Sequence, residues 1–192
     1  MIIKILGIYG SPRKGGNTDM LLDSFLAGCA EVGADVRRLY LRELDFGPCA
    51  GCEGCSATGE CVMYDGMKGV YPLLADSVGI VLASPIFFYG VTAQAKAFID
   101  RMQPLYVRKY VLGKKGLNPG KRKGFFISAG ATGGERLFDG ACLTMKYFYD
   151  ALDAGYAGDI LHRGVEGKGG VADVEGALNK AFEKGKWFAA LA

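Results

Sequence analysis

Strand-sized apolar runs alternate with stretches of helical periodicity along the whole chain, and few folds accommodate that alternation. Ile2 to Tyr9 is almost continuously apolar, as expected of a strand buried on both faces of a parallel sheet. Leu21, Leu22, Phe25, Leu26 and Cys29 follow at helical spacing, with Asn17, Thr18 and Asp19 as candidate N-caps and Gly33 as the stop. Val36 to Leu41, Val78 to Ser84, Lys123 to Ser128 and the weaker Tyr156 to Leu161 read as four further strands. Helical faces recur at Val91, Ala95, Phe98, Ile99 and Met102, then at Phe138, Ala141, Met145, Phe148 and Leu152. The last runs through Val174, Ala177, Leu178, Ala181, Phe182 and Phe188. A short helical piece from Met67 to Ala75 should break or kink at Pro72. Such an order predicts an α/β fold, a parallel sheet with helices on both faces. No linker or internal repeat divides the 192 residues, so one domain is expected over 1–192.

Composition narrows the function. Half the residues are hydrophobic and 22% are charged, which excludes a disordered chain. A net charge of +3 is too small to argue for nucleic acid. The longest apolar runs, such as Val78 to Ala83, are far short of the ~20 residues of a membrane span. The chain enters a strand pattern at once, with no signal peptide, so a cytoplasmic location is expected. In a reducing compartment, six cysteines point to metal or redox work rather than to structural disulfides. His162 is the only histidine, with the surface as its expected place, which argues against a His-based triad or a zinc hydrolase. Cys29 and Cys142 lie on helical faces among apolar residues and read as packing residues.

The turn between the first strand and the first helix is Gly10-Ser11-Pro12-Arg13-Lys14-Gly15-Gly16-Asn17-Thr18. Free N–H groups and the dipole at a helix start favour an anion there, and Ser11, Arg13, Asn17 and Thr18 offer further donors. A P-loop would continue with Lys and Ser/Thr after the second glycine, where this chain has Gly16 and Asn17. The first helix has no Gly-x-Gly-x-x-Gly run either. A terminal monophosphate suits the loop better than a triphosphate or pyrophosphate, although a plain Gly/Ser turn reads equally well on the loop alone. Position breaks the tie: in a doubly wound sheet of order 2-1-3-4-5, ligands sit beyond the carboxyl ends of strands one and three. The loop after strand three is Ser84-Pro85-Ile86-Phe87-Phe88-Tyr89-Gly90, with three consecutive aromatics. A flavin needs a flat apolar wall and donors along its polar edge. The alternative is that Phe87, Phe88 and Tyr89 pack the end of the sheet, as at least one should. A third loop, Ser128 to Gly134 with Gly130 in it, is placed to border the ring from the other side.

The loop Gly10 to Thr18 and the loop Ser84 to Gly90, together with Ala93-Gln94-Ala95-Lys96-Ala97-Phe98-Ile99-Asp100-Arg101, resemble the NADPH-dependent FMN reductases of the flavodoxin-like superfamily. The resemblance runs from about residue 2 to 134 and implies a flavodoxin-like, three-layer, five-stranded sheet. It implies that Ser11, Arg13, Asn17 and Thr18 take the FMN phosphate, and that Pro85, Ile86, Phe87, Phe88, Tyr89 and Gly90 take the ring.

Residues 46–64 form an irregular Cys/Gly-rich stretch carrying Cys49, Cys52, Cys55 and Cys61, spaced Cys-x2-Cys-x2-Cys-x5-Cys. Such thiolate sets hold iron–sulfur clusters, although the ferredoxin run differs. Gly51 and Gly54 would let the backbone wrap closely around sulfide. The motif resembles that of the iron-sulfur flavoproteins, a branch of the same superfamily, which implies a 4Fe-4S cluster beside FMN. Zinc usually has its ligand pairs further apart, and empty thiols remain the plainer alternative.

The expected function is electron transfer between a one-electron donor such as ferredoxin and a small acceptor, through FMN and the cluster. A cluster-free NAD(P)H-dependent FMN or quinone reductase is the second reading, and a thiol-based metal or redox sensor the third. No catalytic acid or base is expected. Resemblance implies a homodimer or homotetramer in which cluster and FMN of neighbouring chains approach. The connection 103–124 is a candidate for assembly contacts. Its Arg108, Lys109, Lys114, Lys115, Lys121, Arg122 and Lys123 read as a solvated basic loop, suited to an acidic ferredoxin or a nicotinamide phosphate.

Overall fold

The computed structural model describes residues 3–114 and 121–192; Ile2 and, within the 103–124 connection, residues 115–120 with Lys115 lie outside them. Five strands, β1 (Lys4–Tyr9), β2 (Asp35–Tyr40), β3 (Gly79–Ala83), β4 (Arg122–Ala129) and β5 (Ala154–His162), form one parallel sheet in the order β2-β1-β3-β4-β5. The helices are α1 (Asn17–Glu31), α2 (Met67–Asp76), α3 (Ala93–Asp100), α4 (Gln103–Tyr106), α5 (Asp139–Ala151) and α6 (Ala177–Leu191). The sheet order and the flavodoxin-like fold expected from the sequence are both present.

The strand alternation explains the layers. Ile5 and Tyr9 of β1, Val81 and Ala83 of β3, and Phe125, Ile127 and Ala129 of β4 face α1 and α6. Leu6 and Ile8, Ile80 and Leu82, and Phe126 face α2, α3 and α5. On the first face α1 and α6 meet almost backbone to backbone: a Cβ on Gly28 would collide with the Phe182 carbonyl, and one on Gly185 with the Phe25 carbonyl. Cys29 is buried in this seam, its Sγ 3.2 Å from the Gly185 carbonyl oxygen, and burial pushes its thiol up to about 12. On the second face the ring of Tyr149 covers Gly124, and its hydroxyl donates to the Phe125 carbonyl at 2.5 Å.

Three local expectations are corrected. Pro72 does not break α2, which runs unbroken to Asp76, because Met67, Val70 and Leu74 anchor its other face in the core; burial outweighs one missing N–H bond. The connection after α3 is not a loop throughout: α4 leads into a π-helical turn, Val107–Val111. Nor are its cations all solvated. Lys109 pairs with Asp150 at 2.9 Å and Asp153 at 3.2 Å. Arg122 is 3% exposed and donates to the carbonyls of Leu74, Ser77 and Leu152, and burial lowers its pKa. His162 ends β5, half-buried, and its carbonyl receives the Gly130 N–H at 2.9 Å. Among the described residues no helix is long and apolar enough to cross a membrane.

Candidate functional site

Four loops meet beyond the carboxyl edge of the sheet and enclose a cavity of about 410 Å³. Short hydrogen bonds fix their relative positions. The Gly10 N–H donates to Ala83 O at 2.7 Å, the Thr92 hydroxyl to Gly10 O at 2.5 Å, and the Ser128 hydroxyl to Ser84 O at 2.7 Å. Thr92 also caps α3, accepting from the Ala95 N–H at 3.2 Å. Gly10 has to be glycine here, since a Cβ would stand 2.8 Å from the Ala83 carbonyl oxygen.

Ser11, Arg13, Asn17 and Thr18 all line this cavity, with Pro85, Ile86, Phe87 and Gly130. The N-terminus of α1 opens into it through Gly16, and the first turn of a 15-residue helix leaves N–H groups without intrahelical acceptors. The roles within the loop differ from those expected. The N-cap is Gly16, with no side-chain cap, rather than Asn17, Thr18 or Asp19. The Asn17 amide instead donates to Gly167 O at 2.8 Å and accepts from the Val171 N–H at 3.2 Å, which ties down the segment after β5. Ser11 Oγ accepts the Arg13 N–H at 3.1 Å and so shapes the turn from within. Asp19, 3% exposed, receives the Gly15 N–H and an Arg42 N–H, each at 3.0 Å. Burial raises its pKa in spite of both, and the Arg42 guanidinium at 3.0 Å offsets the charge of its carboxylate.

The sequence reading missed the fourth wall. Val165, Glu166 and Gly167 line the cavity, and the Lys168 ammonium lies 4.0 Å from where a Cβ on Gly15 would stand. The glycine cluster at 164, 167, 169 and 170 was the available signal, together with the position of this segment after a strand.

The aromatic turn is the other departure. Only Phe87 of the three reaches the cavity; Phe88, Tyr89 and Gly90 do not line it. None of the three packs the sheet, and Phe88 is fully exposed. Phe87 and Gly90 exchange N–H···O bonds of 2.9 and 3.0 Å, a two-residue hairpin whose central residues, Phe88 and Tyr89, both have positive φ, +49° and +62°. That is the turn that favours Asn-Gly, and bulky residues there cost about 1–2 kcal/mol each. Phe88→Gly is expected to raise stability by about 1 kcal/mol, or ~2–4 °C in the melting midpoint, in a thermal scan. An unchanged or lower midpoint would show that the turn carries no strain.

The four cysteines border a second, larger cavity of about 810 Å³, against Arg101, Met102, Pro104 and Phe148. It has no lining residue in common with the first. The thiols sense one another: burial pushes Cys55 up, and the charges of Cys49, Cys61 and Cys52 add to that. Cys49 and Cys52 are exposed, Cys55 and Cys61 half-buried, and none is in a disulfide. Among the described residues no three Cys, His, Asp or Glu side chains already converge to metal-binding distance. Four soft thiol donors around one cavity are chemically suited to iron–sulfide, and Gly51, at φ +64°, supplies a bend in the loop that carries them.

The sequence model of the family described as NADPH-dependent FMN reductase matches residues 3–152. The chain belongs to that family. An iron-sulfur flavoprotein of Archaeoglobus fulgidus is 41% identical over 114 residues, 59% of this chain and 52% of that one. One from Methanocaldococcus jannaschii is 36% identical over 114 residues, 59% of each. The matched part thus spans little more than half the length of these relatives. An FMN-dependent NADH-azoreductase from Bacillus anthracis, solved with FMN, superposes with a TM-score of 0.70 at 14% identity, covering 97% of this chain and 99% of that one. An archaeal flavodoxin superposes with a TM-score of 0.59 at 15% identity, covering 98% and 97%. The solved structures bear on the fold.

Proposed function

We propose that this family member binds FMN in the smaller cavity and a 4Fe-4S cluster on Cys49, Cys52, Cys55 and Cys61, and moves electrons between a one-electron donor of ferredoxin type and a small acceptor. The observation that carries this reading is the gathering of all four cysteines around one cavity, apart from the cavity at the sheet edge. When bound, FMN exchanges electrons singly or in pairs and the cluster one at a time. The chain's own residues hold and orient. The α1 N-terminus, Thr18, Arg13 and Lys168 surround the place for a phosphate, Ser11 and Asp19 hold the turn in shape, and Phe87 and Ile86 offer an apolar wall. The two cavities have no lining residue in common, and the reading includes a dimer or tetramer in which the cluster and FMN of neighbouring chains approach.

The second reading, an NAD(P)H-dependent reductase of FMN or a quinone without a cluster, draws on the family description and on thiols not yet converged. One anaerobic preparation separates the two. The first reading expects flavin plus about four irons and four sulfides per chain, with reduction by ferredoxin faster than by NADPH. Flavin without iron, and steady NADPH oxidation, would sink it in favour of the second. A colourless protein would remove both and leave the thiol-based sensor.

A further inference from the structure

Among the described residues Arg101 is the largest side chain buried outright, at 1% exposure, and it caps the carboxyl end of α3 beside the cysteine loop. Its guanidinium touches that loop on both sides of the four thiols. Nη1 donates to the carbonyl of Gly47, just before Cys49, at 2.9 Å. Nη1 and Nη2 together grip the carboxylate of Asp65, just after Cys61, at 2.5 and 3.0 Å. Nη2 also directs an N–H at Cys61 Sγ, 3.5 Å away. The backbone around this point is held as well: the Tyr71 hydroxyl donates to the Arg101 carbonyl at 2.9 Å, and Lys68 Nζ to the Cys61 carbonyl at 2.6 Å.

We propose that Arg101 is a positioning residue for the cysteine loop: it staples the two ends of the 47–65 segment together and presents an N–H to the sulfur of Cys61. Only a planar fork of five donors reaches a carbonyl, a carboxylate and a sulfur at once; an ammonium is a single point of charge. The orientation is not one that serves the guanidinium alone, because Nε is buried with no acceptor among the described residues. The side chain gives up that bond and spends its outer N–H groups on the loop. A buried cation beside a thiolate also favours added negative charge there, so hydrogen bonding at Cys61 raises the potential of a group ligated by it. This last consequence rests on the proposed cluster; the staple does not.

The test compares wild type, Arg101→Met and Arg101→Lys in two measurements. Hydrogen exchange of the apoprotein reads the loop, and the midpoint potential after anaerobic reconstitution reads Cys61. In Arg101→Met, amides of 47–65 should exchange about tenfold faster or more while the strands keep wild-type protection, and the midpoint should move to more negative values. Arg101→Lys keeps the charge, so its loop should also exchange faster while its midpoint stays nearer that of wild type. Wild-type exchange over 47–65 in a folded variant overturns the staple, and an unmoved midpoint in Arg101→Met overturns the role at Cys61. If the methionine variant does not fold, loop exchange in the lysine variant decides. If wild type takes up no iron, the cluster reading falls and with it the role at Cys61, while exchange still decides the staple.

Discussion

Replacing Cys55 with alanine is expected to leave a yellow protein with almost no iron. Cys55 is the middle thiol of the closely spaced three, half-buried, and the one whose burial and neighbours push its thiol up. A thiolate ligand of a cubane has no substitute among apolar side chains, and the nearby loop offers no fifth cysteine. Iron should fall from about four per chain to below about one after anaerobic reconstitution. Flavin content should be unchanged, because Cys55 does not line the smaller cavity. Iron and acid-labile sulfide assays with a visible spectrum give the answer. Wild-type iron in the variant would remove Cys55 from the ligand set, and parallel loss of flavin would mean that the two sites depend on each other.

The largest effect on stability is expected at Gly185. A Cβ there would overlap the carbonyl of Phe25, and neither backbone can yield without moving a whole helix. Overpacking of this kind costs typically 1–3 kcal/mol, against which alanine's better helix propensity returns at most about 1. Where rigid backbone is the obstacle, the upper part of that range applies, so Gly185→Ala should lose about 2 kcal/mol net in urea unfolding. Gly33→Ala is the comparison: its Cβ would meet nothing, yet φ is +89°, so a loss there would come from the left-handed backbone alone. A Gly185→Ala variant as stable as wild type would show that α1 and α6 slide apart at little cost.

The parts of the architecture that depend on local periodicity were legible in the sequence. Five apolar runs and the helical faces between them led to a parallel sheet covered on both faces, while the order 2-1-3-4-5 came with the resemblance to the flavodoxin-like superfamily. The first loop was legible as a strand-to-helix turn bordering the sheet-edge cavity because strand, glycines and helix start are contiguous. What escaped depends on distant partners. Nothing near Asn17 shows that its amide is used by Gly167 and Val171, and nothing near Arg122 shows that its carbonyl partners come from α2 and the end of α5. The aromatic turn misled for another reason. Three large apolar residues in a row imply burial, whereas a two-residue hairpin turns Phe88 outward whatever its side chain. Arg101 stood inside the stretch that resembles the reductases, but a lone arginine ending a helix carries no sign of being buried.

The separateness of the two cavities has a practical consequence. If neither wall contributes to the other, occupancy at one need not report occupancy at the other, and the protein is a mixture of four species rather than two. Air that stripped an exposed iron–sulfur group would leave a chromophore intact and a preparation that looks whole by colour. Stoichiometry would then have to be counted molecule by molecule, for instance by native mass spectrometry, before any rate was divided by protein concentration.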